Sequence, residues 1–204
     1  MDDRTLKIVG LGDSTTAGTP GFLSPLEAPP DGWGDRRSQY AFWMMEAHPN
    51  WQVINCGING QDSYEIRLRF ARDVLPRTPD YVVILAGVND VFRGGSQESV
   101  KTNLMAMYEE SQRSGIRVIG ATILPYNRMS PREANAVEQL NEWIRTTTRE
   151  LGCAFCDTHG MLSDPRNRNR LISTSDGLHP DVEGYRRVGE GLTRVIEEAE
   201  SQRR

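Results

Sequence analysis

Five short apolar runs constrain this chain more than any other feature. They fall at residues 6–11, 52–56, 81–86, 116–124 and 154–156, each rich in Val, Ile or Leu and poor in strict alternation. Runs of that kind belong to parallel strands covered on both faces, because a half-solvated strand alternates apolar with polar residues. Helical patterns separate them. Val100, Leu104, Met107 and Tyr108 fit one helix face, Val137, Leu140, Ile144, Thr147 and Leu151 a second, and Val182, Tyr185, Val188, Leu192 and Val195 a third. Residues 36–48 read as helical too. Tyr64, Ile66, Leu68 and Phe70 alternate like a strand, yet Ile66, Phe70 and Val74 also fit a helix. Helix is the expectation there, since two parallel strands need a crossover between them. The result is an open, doubly wound α/β domain over residues 1–204, a length that suits one domain.

In such a sheet, ligands sit beyond the carboxyl ends of the strands, so a site should be built from the residues just after each run. Gly10-Leu11-Gly12-Asp13-Ser14-Thr15-Thr16 follows the first. It admits three readings. A dinucleotide fingerprint would need glycine where Thr15 stands and an acidic residue after the second strand, where Asn55-Cys56-Gly57 stands instead. A helix N-cap needs only Ser14 or Thr15 to satisfy a free N–H. The third reading is a nucleophilic Ser14 held at the strand-to-helix turn.

The other loops bear on that choice. Asn55-Cys56-Gly57-Ile58-Asn59-Gly60 follows the second run, Gly87-Val88-Asn89-Asp90 the third, and Asp176-Gly177-Leu178-His179-Pro180 precedes the last helix. The Asp176–His179 spacing lets a carboxylate reach one ring nitrogen in a turn and leaves the other facing outward, as a serine nucleophile requires. Pro180 keeps His179 out of the helical conformation, so it should project from a loop. Alone, this D-x-x-H is as well explained by a capped turn. Of the three histidines, His48 reads as a helix end and His159, after Asp157-Thr158, as the rival base. Asn89 and Gly57 are candidate oxyanion donors, one through a side-chain amide and one through a backbone N–H, with the Ser14 N–H a third. Singly, Gly57 and Gly60 are equally read as turn glycines and Asn89-Asp90 as a cap.

Taken together, these four blocks resemble those of the SGNH hydrolases, the GDSL esterase/lipase family, with Ser14, Gly57, Asn89 and His179 as the lettered residues. The resemblance runs from Gly12 to His179. It implies a three-layer, flavodoxin-like α/β/α fold of about five parallel strands. It also implies a Ser14–Asp176–His179 triad, oxyanion donors at Ser14, Gly57 and Asn89, and a mechanism without metal or other cofactor. Thr15 stands where the family name has Leu, one residue past the nucleophile. The activity so implied is hydrolysis of short acyl or O-acetyl esters through an acyl-enzyme. Transfer to a sugar or alcohol by the same triad, thioester or lysophospholipid cleavage, and, last, a non-catalytic binding domain are the alternatives.

Composition trims the remaining classes. Net charge is −4 with no block of Lys or Arg, so a nucleic-acid partner is not expected. No apolar run approaches the ~20 residues that span a bilayer, and the polar start, residues 1–4, has no signal-peptide pattern, so the expectation is a cytoplasmic protein acting on a small-molecule ester. The arginine-rich end, 201–204, reads as a solvated tail. Cys56, Cys153 and Cys156 read as small buried hydrophobes, because Cys153 and Cys156 lack further zinc ligands at suitable spacing. The Pro- and Gly-rich stretch 19–34 should lie over the site with 125–129. There Phe22, Trp33 and Tyr126 are candidate acyl or sugar contacts, and Arg93 and Arg128 candidate anion contacts.

Overall fold

The computed structural model describes residues 5–203; the polar stretch 1–4 and the last residue of the arginine-rich end, Arg204, lie outside them. All five apolar runs are strands: β1 (Lys7–Gly12), β2 (Gln52–Gly57), β3 (Tyr81–Leu85), β4 (Arg117–Ala121) and β5 (Ala154–Cys156). They pair in parallel in the order β2-β1-β3-β4-β5, which is the flavodoxin-like order. The side chains do alternate, but between two apolar environments. Val9, Leu11, Val82 and Ile84 enter one core cluster, while Ile8, Val83, Leu85 and Ile119 enter the other. That is why the runs look unbroken in the sequence.

Nine helices accompany the strands among the described residues: α1 (Ser14–Ala17), α2 (Tyr40–Ala47), α3 (Ser63–Leu68), α4 (Phe70–Asp73), α5 (Val88–Phe92), α6 (Gln97–Arg113), α7 (Pro131–Glu150), α8 (Thr158–Leu162) and α9 (Val182–Ser201). Residues of α3, α4, α6 and α7 line the first cluster, and those of α2 and α9 the second, giving three layers. The ambiguous segment around Ile66 is helical, as the crossover demanded. The helix starts are written locally: Ser130 with Glu133 forms a capping box before Pro131, Asp62 with Glu65 forms another, and Asp181 accepts from the Gly184 N–H. Residues 36–48 divide into a 3-10 turn, Arg36–Ser38, and α2.

The register sets up the site. Gly12 on β1 lies beside both Gly57 on β2 and Leu85 on β3, so three adjacent strands end level with one another. The loops that follow them emerge at one edge. The 19–34 stretch contains a short antiparallel pair, Phe22–Leu23 with Trp33–Gly34. It is pinned beside β2 where Ser24 Oγ donates to the Gly57 carbonyl (2.6 Å) and Asn59 N donates to Glu27 Oε1 (2.9 Å).

Candidate active site

Ser14 opens α1 directly beyond β1. Asp13 caps that helix by accepting from the Thr15 N–H at 2.9 Å, so the Ser14 side chain has no capping role. Its own N–H, in the first turn, has no intrahelical acceptor. Some 165 residues later in the chain, the turn before α9 brings a histidine to it: His179 Nε2 stands 2.8 Å from Ser14 Oγ. His179 Nδ1 stands 2.7 Å from Asp176 Oδ2. A carboxylate accepts only, so Nδ1 carries the proton and Nε2 is left to accept from the serine hydroxyl. Both Ser14 and His179 are nearly buried, at 8 % and 7 % exposure, so a single ring orientation is held.

The Asp176–His179 turn is itself locked. Asp176 Oδ1 accepts from the Leu178 and His179 N–H groups, each at 2.8 Å, while Asn127 N donates to the Gly177 carbonyl at 2.7 Å. Burial pushes the Asp176 carboxyl up, but the hydrogen bonds from the His179 ring and from these two N–H groups outweigh it and hold the pKa at about 2. Asp176 is therefore a carboxylate over the whole neutral range.

The candidate oxyanion donors are arranged differently from the sequence reading. Asn89 lies in the first turn of α5, where its Nδ2 donates one hydrogen to the Gln61 carbonyl (2.9 Å) and keeps a second. Gly57 is not a free donor. It is the last residue of β2 rather than the first beyond it, and its N–H donates to Asn55 Oδ1 at 2.9 Å. A Cβ on Gly57 would stand 2.0 Å from the Ala17 backbone nitrogen, so its glycine is required by the close approach of α1. Gly60, three residues on, has φ +73° and an N–H with no partner among the described residues. Its carbonyl accepts from Arg93 Nη2 at 2.6 Å, and Gln61, which takes the Asn89 amide, is its neighbour. The signal for Gly60 was a second glycine after an Asn, in a turn past the true strand end.

A family model for the GDSL-like lipase/acylhydrolase family matches residues 11–187, which contain every residue of this arrangement. The chain belongs to that family. A solved G-D-S-L family protein from Desulfitobacterium hafniense DCB-2 is 26 % identical, with 93 % of this chain and 99 % of that one covered and a TM-score of 0.75. An acetylxylan esterase of Geobacillus stearothermophilus is 24 % identical over 158 residues, 71 % of this chain and 72 % of its own length. The uncharacterized lipoprotein YqeF of Bacillus subtilis is 38 % identical over 82 residues, 37 % of this chain, and the match spans about a third (34 %) of its length. Membership places the chain among carboxylic ester hydrolases that use a serine.

Around this GDSL-family site, the expected rim is only partly a rim. Phe22 and Tyr126 are buried, the latter with its hydroxyl donating to Glu133 Oε1 at 2.8 Å, whereas Trp33 is 74 % exposed. Phe92, three residues past Asn89, is exposed and packs edge-on against Tyr126 at 6.1 Å. Arg93 is directed at Gly60 and lies 3.7 Å from Asp62, while Arg128 is exposed. The rival His159 faces two backbone carbonyls, those of Ile123 (2.9 Å) and Arg168 (3.0 Å). His48 ends α2, pairs with Glu197 at 2.8 Å and stacks on Trp51. All three cysteines are free; Cys56 and Cys156 are buried and Cys153 is partly so. No helix among the described residues is long and apolar enough to cross a membrane.

Proposed function

We propose that this chain hydrolyses short acyl or O-acetyl esters, with Ser14 as nucleophile, His179 as base and acid, and Asp176 as its orienting carboxylate. The observation that carries the reading is the continuous relay from Asp176 Oδ2 through the His179 ring to Ser14 Oγ, at 2.7 and 2.8 Å. Nε2 accepts the serine proton as Oγ bonds to the ester carbonyl carbon. The negative charge that develops on the carbonyl oxygen meets the Ser14 N–H, the Gly60 N–H and Asn89 Nδ2. As the tetrahedral intermediate collapses, Nε2 returns the proton to the departing alcohol. Water then attacks the acyl-enzyme with the same nitrogen as base, and the acid leaves as Ser14 regains its proton. Asp176 fixes the ring tautomer and offsets the imidazolium charge throughout.

The acetyl preference rests on the acetylxylan esterase relative. Ser14→Ala should lower kcat/KM on p-nitrophenyl acetate by about 10⁴-fold or more. Activity near the wild-type level in a folded Ser14→Ala protein would overturn the assignment. In a series of acetyl, butyryl and octanoyl esters, kcat/KM should fall with chain length, and acetylated xylo-oligosaccharides should release acetate. A rise in kcat/KM towards octanoyl would contradict the acetyl preference while leaving the triad intact.

A further inference from the structure

Behind the site lies a buried cation that the mechanism above does not use. Arg69 sits where α3 gives way to α4 and is 5 % exposed. Its guanidinium donates Nη2 to the Gly12 carbonyl (2.6 Å), Nη1 to the Cys56 carbonyl (2.7 Å) and to Asp73 Oδ2 (3.0 Å), and Nε to Gln61 Oε1 (2.5 Å). Those acceptors are not scattered. Gly12 is the last residue of β1, two before Ser14. Cys56 precedes the last residue of β2. Gln61 adjoins Gly60, and its carbonyl receives the Asn89 amide.

We propose that Arg69 is a positioning residue for the oxyanion pocket, tying the nucleophile turn to the Gly60–Gln61 loop, and through Gln61 to Asn89. This rests on the reading of Ser14 as nucleophile. The physical case is one of geometry. Gly12 and Gly57 are paired, but beyond them the two chains diverge, one into α1 and the other into an irregular loop. Past that point a single long backbone hydrogen bond, from Ile58 N to the Gly12 carbonyl at 3.2 Å, joins the two among the described residues, and the Gly60–Gln61 turn lies beyond it. A planar fork with five donors at fixed angles extends that tie from Gly12 to Gln61, which a lysine's single ammonium does not reproduce. Donors to a developing oxyanion have to be held within about 0.5 Å to be effective. The arrangement also carries a cost that stability alone does not explain. Burial lowers the Arg69 pKa, the nearby Asp73 opposes that, and Asp73 is shared with the exposed Arg72 at 2.7 Å. Buried ion pairs of this kind add little net stability over apolar replacements.

The test uses Arg69→Lys, which keeps a charge beside Asp73, and Gln61→Ala, which removes only the link to the donor loop. For both, kcat and KM on p-nitrophenyl acetate are measured with thermal unfolding, and Ser14→Ala is run in parallel. Arg69→Lys should lower kcat by about 30-fold or more, with KM within about threefold, because misplaced donors weaken the transition state and not the ground state. Gln61→Ala should lower kcat by about three- to tenfold at unchanged Tm. The double variant should lose less than the product of the two, since they act through one link. A folded Arg69→Lys protein with kcat within about twofold of wild type would overturn the proposal, as would a loss that merely tracks the folded fraction. Should Arg69→Lys not fold, an unchanged kcat in Gln61→Ala overturns it. An active Ser14→Ala protein refutes the nucleophile instead, so the two failures are distinct.

Discussion

His179 and His159 are a natural experiment within one molecule. Both are nearly buried, at 7 % and 8 % exposure, both follow an aspartate by two or three residues, and both have each ring nitrogen within hydrogen-bond reach of a partner. Their partners differ. His179 stands between a carboxylate and a hydroxyl, so one side fixes the proton and the other can give one up. His159 stands between two carbonyls, and a carbonyl gives up no proton. The aspartates explain the difference. Asp176 bends back over a turn and keeps one oxygen for the ring. Asp157 is the N-cap of α8, with Oδ1 accepting from the Gly160 N–H at 3.0 Å, and the imidazole nitrogens face the Ile123 and Arg168 carbonyls instead. Burial does not make a histidine a base; what it faces does.

The largest expected contrast is between removals of the two rings. His179→Ala should lower kcat/KM on p-nitrophenyl acetate by roughly 10⁴- to 10⁶-fold, whereas His159→Ala should stay within about tenfold while losing Tm. Comparable losses in both would dissolve the distinction. Next comes Asp176→Asn, which keeps the shape of the turn but presents an amide that can donate to Nδ1. The ring then favours the tautomer with its proton on Nε2, and kcat should drop by about 10³- to 10⁴-fold. A near-normal kcat would mean the tautomer is set elsewhere.

The smallest effect carries the comparison from imidazoles to carboxylates. Asp13, next to Ser14, is buried with Oδ2 unpartnered among the described residues, and burial pushes its pKa up to about 7. Its folded pKa lies above the ordinary 3.8, so its favourable contribution is full below that value and is lost as pH rises through about 7. Asp176 runs the other way: its contribution is present above pH 3.8 and is lost only as pH falls towards about 2. The Tm of Asp13→Asn relative to wild type should therefore be higher at pH 8 than at pH 4, by about 3 °C or more. A difference that does not change with pH would place the Asp13 pKa outside this window.

The fold was legible because the β1–β5 runs are apolar on both faces and the α6, α7 and α9 stripes are wide, so period and length agreed. The Ile66 segment was settled by topology, not by its own pattern. The Ser14, Asn89, Asp176 and His179 positions were legible because each follows a strand or precedes a helix at a place that sequence punctuates. Gly57 was read as lying past the strand because apolar character stops at Cys56, while the ladder runs one residue further. That shift leaves the Gly57 N–H donating to Asn55 Oδ1, and the donor we propose in its place is the Gly60 N–H. The hairpin Ser163–Asp164 with Asn167–Leu171 left no signal, since its Arg and Asn side chains are exposed on both faces. Arg69 was invisible for a deeper reason: its contacts with the two strand ends are to backbone carbonyls, those of Gly12 and Cys56, which have no letter in a sequence.

The most direct test of the relay is stoichiometric labelling with a fluorophosphonate, read by intact mass and peptide mapping. One adduct per chain, on Ser14, is expected in the wild-type protein, with none in Ser14→Ala and labelling slowed by about 10³-fold or more in His179→Ala. An adduct on another residue, or labelling of Ser14 that is indifferent to the loss of His179, would contradict it.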